Sequence, residues 1–131
     1  MRRALFLLII VAMCLSGAQK RRKGPKRPDL EIAQISSHRG EEQISIDGKL
    51  RNTGERTFKG VNLFFDFMAP GKQHLTTQSA PVEEEVIEPG AGSAFRVALD
   101  SPPRAVEFLI SAQDGDGRDL TISNPGPFVI E

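Results

Sequence analysis

Four residues spaced two apart, Val61, Leu63, Phe65 and Phe67, alternate with Asn62, Phe64, Asp66 and Met68, and this period restricts the fold more than any other feature. Successive side chains of a strand point to opposite faces, so such a segment buries one face against a core. The same period recurs in Ile44, Ile46, Gly48 and Leu50, with Ser45, Asp47, Lys49 and Arg51 between them. Phe95, Val97 and Leu99 form another set, Val106, Phe108 and Ile110 the next, and Leu120 with Ile122 a shorter one. "LEI" at 30–32 opens a first strand, and the segments around Leu75 and from Val82 to Ile87 read as short edge strands. After the leader, no apolar set recurs at helical spacing over a helical length.

Turn chemistry falls between these runs. Asn52-Thr53-Gly54, Ala69-Pro70-Gly71, Glu88-Pro89-Gly90, Ser101-Pro102-Pro103 and Asp114-Gly115-Asp116-Gly117 each interrupt an alternation. Gly and Asn accept positive φ at low cost, and Pro presets φ for a turn. About seven short strands over about 100 residues define an all-β chain, an immunoglobulin-like antiparallel β-sandwich.

The N-terminus has a different character. Arg2 and Arg3 precede the apolar run Ala4 to Leu15, and Ser16-Gly17-Ala18 supplies small residues for cleavage after Ala18. Residues 1–18 therefore read as a secretory signal peptide. As a helix the run would rise about 18 Å against a hydrocarbon core of roughly 30 Å, too short for a stable span. The single cysteine, Cys14, lies within it. A disulfide framework, thiol catalysis and cysteine-bound metal are thus not expected after the leader.

Residues 19–28 carry Lys20, Arg21, Arg22, Lys23, Lys26 and Arg27, two prolines and no large apolar side chain. Dense like charge without burial predicts a disordered basic arm. From residue 28 onward, nine Lys and Arg stand against 17 Asp and Glu, a net charge of −8. The arm suits an anionic surface. It has no interleaved aromatic residue for base stacking, so nucleic acid is not the expected partner. Residues 29–124 are the expected sandwich, and residues 125–131 a tail that packs on it.

The segment "DGKLRNTGERTFKGVNLFFDFMAPGK", followed by "IEPGAGSAFRV", resembles the FxLYD-type domains of bacterial secreted proteins. Gly48, Leu50 and Asn52 match that family's corner, Phe64-Phe65-Asp66 its aromatic-Asp segment, and Pro89-Gly90 with Phe95 its later turn. Asn62 and Phe65 occupy the positions of the Phe and Tyr that name the family. The resemblance implies an immunoglobulin-like sandwich in an exported or envelope protein, without catalytic residues.

No cofactor and no metal ligand set is expected. His38 and His74 lie in polar stretches without nearby partner ligands and read as surface loop residues. Asp114 to Asp119 resembles a Ca²⁺ loop, but its fifth, sixth and twelfth positions are Arg118, Asp119 and Pro125. An EF-hand would place an oxygen ligand, Gly and Glu there, so a hairpin turn accounts for these letters better. Glu83-Glu84-Glu85 with Glu88 reads as a charged edge that discourages strand addition. The chain has no nucleophile elbow, P-loop or HExxH, and an enzyme is not expected.

If Phe65 and Phe67 face inward, Phe64 and Met68 face outward, and Leu109 joins them from the strand holding Phe108. An outer apolar patch of this kind marks a contact. Three arrangements fit: the tail "NPGPFVIE" folds over the patch through Phe128 and Ile130, a partner or second copy covers it, or the strand lies elsewhere. The expected function is that of an exported, non-catalytic module that binds a protein or cell-envelope component, in the periplasm or outside the cell. The alternatives are a structural accessory tethered by its arm and a weak Ca²⁺-binding domain.

Overall fold

The computed structural model describes residues 27–131. The proposed leader and the arm residues Lys20, Arg21, Arg22, Lys23 and Lys26 lie outside the described residues. Ten strands follow in chain order among them: β1 Leu30–Arg39, β2 Gln43–Asn52, β3 Phe58–Lys59, β4 Asn62–Ala69, β5 Gln73–Pro81, β6 Val86–Ile87, β7 Gly92–Asp100, β8 Glu107–Gln113, β9 Asp119–Leu120 and β10 Phe128–Val129. One sheet has the order β1-β2-β7, and the facing sheet the order β10-β8-β4-β5, with β9 alongside β8. All strand pairs are antiparallel. The protein is an all-β antiparallel sandwich, arranged as the alternating runs require.

Inward residues of both sheets form one core. Ile44, Ile46 and Leu50 of β2 and Phe95 of β7 meet Leu63, Phe65 and Phe67 of β4 and Phe108 and Ile110 of β8. Phe108 is central, with Phe65, Phe67 and Phe128 ring centroids 6.0, 5.9 and 5.6 Å away. Each fully buried large apolar side chain contributes about 1.5–3 kcal/mol, which lets a sandwich hold without disulfides.

Gly48 lies opposite Phe95 in the β2–β7 ladder. A Cβ there would collide with the Gln34 carbonyl oxygen and lie 2.5 Å from Phe95 Cζ. The missing side chain is therefore the space that Phe95 fills. Asn52 explains the polar corner after β2. Its buried Nδ2 donates to the carbonyls of Arg56 at 2.7 Å and Ile87 at 2.9 Å, while Oδ1 accepts from Gly54 N at 2.9 Å. One side chain thus satisfies three backbone groups where the chain leaves one sheet for the other. Thr53 extends the corner by donating from Oγ1 to the Pro28 carbonyl at 3.0 Å.

Several expectations need correction. β1 opens at Leu30 as expected, and it continues for ten residues. Its ladder with β2 shifts between Ile32 and Gln34, so Ala33 is an extra residue. A bulge reverses face parity, which turns Ile35 and Ser37 inward and breaks the apolar alternation. β5 is a nine-residue strand, not a short one. Val106 is 41% exposed because β8 begins one residue later, and Ala105 is buried in its place. His38 and His74 stand on β1 and β5 rather than in loops, and both are exposed.

The tail does not fold over the outer face. Phe128 pairs with Phe108, which places it on the inner side, and Val129 pairs with Glu107. Ser37 Oγ donates to the Val129 carbonyl at 3.1 Å, and Arg39 N donates to the Glu131 carbonyl at 3.0 Å. Asn124 clasps Ile32 through both its backbone groups, each bond 2.8 Å. The C-terminal segment therefore joins β1 of one sheet to β8 of the other.

Candidate interaction surface

β4 and β8 pair with Phe64 opposite Ser111 and Asp66 opposite Leu109. Directly opposed residues share a face, and diagonal ones lie about 7–8 Å apart, within reach of an aromatic ring. Phe64 and Leu109 are such diagonal neighbours on the outer face of the β10-β8-β4-β5 sheet. Both are half-buried.

Met68 departs from the expected exposed patch. It is only 6% exposed, yet it does not belong to the core cluster. The β4–β5 ladder shifts between Phe67 and Met68, so Leu75 is extra and Met68 lies between His74 and Glu107. Lys72 Nζ lies 3.5 Å from Glu107 Oε2 on the same side. Bulge and neighbours withdraw Met68 from solvent, and the open apolar pair is Phe64 with Leu109.

A polar group beside that pair escaped the sequence reading. Thr77 Oγ1 donates to Asp66 Oδ1 at 2.5 Å, and His74 Nε2 lies 3.0 Å from Thr77 Oγ1. Hydroxyl, imidazole and carboxylate suggest a nucleophile, but the hydroxyl proton already points to the carboxylate and the face is open. General base work needs the imidazole to accept that proton in a shielded site. The cluster gives the face fixed polar partners. Its signal in the sequence was the outward position of Asp66, whereas the β5 register that adds Thr77 and His74 was not readable.

Surface clefts lie elsewhere. One of about 380 Å³ lies between β1 and the tail, lined by Ile35, Ser36, His38, Phe128 and Glu131 among others. No hydrogen bond among the described residues joins its histidine to a hydroxyl or carboxylate. At the end where the arm leaves, Arg27 pairs with Glu55 at 3.3 Å, both well exposed, beside Asp29, Arg56 and Asp119. Such an exposed pair is worth at most about 1 kcal/mol.

The Asp114–Asp119 segment is a turn between β8 and β9. Asp114 Oδ1 accepts from Asp116 N at 2.9 Å and Arg118 N at 3.0 Å, and Oδ2 faces Arg118 Nε at 3.2 Å. Both oxygens are thus occupied within the turn. The Arg118 backbone hydrogen bond, helped by that of Asp116 and the Arg118 charge, holds the Asp114 carboxyl below its usual range despite burial. A lowered folded-state pKa stabilises above the ordinary carboxylate value near 3.9 and is lost as pH falls through the folded value. Asp114→Asn is therefore expected to melt lower at neutral pH and to show a flatter loss of stability below about pH 4. Thermal unfolding across the acid range checks this, and parallel wild-type and variant profiles would contradict it.

Among the described residues no helix is long and apolar enough to cross a membrane. No group of three or more His, Cys, Asp or Glu among them is placed to hold a metal ion. The strand order and pairing define a small antiparallel β-sandwich. No family model matches the chain, and no curated protein matches it. The solved structure of IrmA from Escherichia coli is similar, with a TM-score of 0.54 at 11% identity over 80% of this chain and 99% of that one. The C-terminal domain of Wzt follows with a TM-score of 0.47 at 14% identity, covering 84% of this chain and 83% of that one. At 11% identity, the IrmA likeness speaks for the sandwich fold alone.

Proposed function

We propose that this chain is an exported, non-catalytic interaction module of FxLYD type that binds a protein or cell-envelope component through the outer face around Phe64 and Leu109. The observation that carries this reading is the diagonal pair itself. Two large apolar side chains share the outer face and keep part of their surface accessible, and accessible apolar surface rimmed by polar groups marks contact sites. Asp66, Thr77 and His74 supply directional partners at its rim. The module acts by binding, in the periplasm or outside the cell.

The test uses the protein released by the exporting cell and a matched envelope extract. Phe64→Glu and Leu109→Glu place a charge on the face without touching the core. Each is expected to reduce retention of the bound component about tenfold or more while the strand signal in circular dichroism is unchanged. Undiminished retention by both folded variants would refute the reading.

A second reading rests on the charge separation. Six basic residues within 20–27 precede an acidic body, so the arm tethers the sandwich to an anionic surface. Each charge near such a surface adds about 1 kcal/mol, screened by salt. Deleting residues 19–26 should abolish salt-sensitive binding to anionic vesicles and leave the envelope component's binding to the Phe64 face intact.

A further inference from the structure

The apolar pair on the outer face belongs to a longer stripe. Val129 of β10 pairs with Glu107, and Glu107 lies two residues before Leu109 on the same face of β8. Val129 is therefore a diagonal neighbour of Leu109, as Leu109 is of Phe64. Phe64, Leu109 and Val129 run obliquely across β4, β8 and β10. Val129 is 66% exposed, the most of any large apolar side chain among the described residues.

Charge lies along one flank of this stripe. Asp66 stands directly opposite Leu109, and Glu107 directly opposite Val129. On the other flank the uncharged Ser111 opposes Phe64. β5 borders the acidic flank. Val82 N bonds the Val61 carbonyl, so alternation directs the backbone groups of Ala80 and Gln78 to β4 and those of Ser79 and Thr77 outward. The side chain of Thr77 stands opposite Asp66.

The two carboxylates differ in what balances them. Glu107 Oε2 has Lys72 Nζ at 3.5 Å. Asp66 has no Lys or Arg ion pair among the described residues. Its Oδ1 accepts from Thr77 Oγ1 and lies 3.9 Å from His74 Nε2, and among the described residues no hydrogen bond reaches its Oδ2. Asp66 is half-buried beside Phe64 and Leu109. A charge partly withdrawn from water attracts an opposite charge more strongly than one on an open surface. The body carries a net charge of −8 from residue 28 onward, so it draws basic segments and repels acidic ones.

We infer that the Phe64–Leu109–Val129 stripe docks a segment of a partner protein that carries an arginine or lysine beside an apolar side chain, with the apolar group on the stripe and the cation on Asp66. The inference rests on the interaction reading above and adds the chemistry of the partner. Lys72 on Glu107 is the same pairing made within the chain. An arginine suits Asp66 best, because its planar fork matches a carboxylate.

The probe is a synthetic peptide that alternates leucine and arginine, titrated into the protein expressed from its whole reading frame. Counterparts carry citrulline or glutamate in place of arginine. The arginine peptide should shift the amide resonances of Phe64, Asp66, Leu109 and Val129 saturably, and both counterparts should bind at least about tenfold more weakly. Asp66→Asn keeps an acceptor for Thr77 and should reduce the arginine peptide to the citrulline level. Glu41→Gln, exposed between β1 and β2, should leave its affinity unchanged. Absent binding of the arginine peptide overturns the inference. Equal affinity for the arginine and citrulline peptides does so too, as does an Asp66→Asn variant that keeps the discrimination. The peptide comparison on the wild type decides if Asp66→Asn fails to fold. An envelope component released by Phe64→Glu but fully held by Asp66→Asn would leave the face reading standing and remove its cationic partner. Full retention by both folded variants would remove the face reading itself.

Discussion

Asn52→Ala is expected to lower folding stability by about 3–5 kcal/mol. The side chain is fully buried and makes three hydrogen bonds to backbone groups of Gly54, Arg56 and Ile87. A net hydrogen bond contributes roughly 1 kcal/mol, and a buried partner left unsatisfied costs about 1–3 kcal/mol. Alanine also leaves a small void at the crossing between sheets. Asn52→Asp should be at least as damaging, because its carboxylate would replace a donor to two carbonyl oxygens. Urea unfolding checks both variants, with the midpoint falling at unchanged slope. A loss below about 1 kcal/mol for Asn52→Ala would mean that the corner is not what closes the sandwich.

Phe108→Ala should cost a comparable amount, about 3–5 kcal/mol. Phe108 is fully buried at the meeting point of rings from β4 and β10. Truncation removes three aromatic contacts together and leaves a cavity that a tightly paired β8 cannot close. Phe128→Ala offers the internal comparison. That ring is half-buried at the edge, so its removal should cost clearly less while loosening the tail from β8. Equal losses at the two positions would place the centre of the core elsewhere.

The strands that were legible in the sequence are those with one buried face throughout. β2, β4, β7 and β8 each alternate in register with a single core, and the letters repeat that geometry. β1 was only partly legible, because the bulge at Ala33 moves the inward positions from even to odd numbers and fills one of them with Ser37. Ser37 is tolerated inside because its hydroxyl is bonded to the tail, a contact from residues far along the chain. β5 was least legible. It lies at a sheet edge, so neither side chains nor backbone face enough core to impose a period. Of the candidate surface, Phe64 and Leu109 followed from parity, whereas the withdrawal of Met68 depended on a bulge in the neighbouring strand. Asp66 became a polar partner only once pairing brought Thr77 and His74 beside it.

These differences share a cause. Periodicity records what a residue does relative to its own strand, while pairing across 20 or more residues decides which edges stay open. Asn52 and Gly48 belong to the closure of the sandwich. Phe64 and Leu109 lie half-buried on the outer face, and β5 is an edge strand without charged residues that pairs only with β4 among the described residues.

Amide hydrogen exchange at low protein concentration tests this arrangement most directly. The slowest amides should lie in β2, β4, β7 and β8, and along β5 those of Gln78 and Ala80 should outlast those of Thr77 and Ser79. Even protection along β5 in the dilute protein, or fast exchange throughout β4 and β8, would contradict a closed two-sheet core with β5 at its edge.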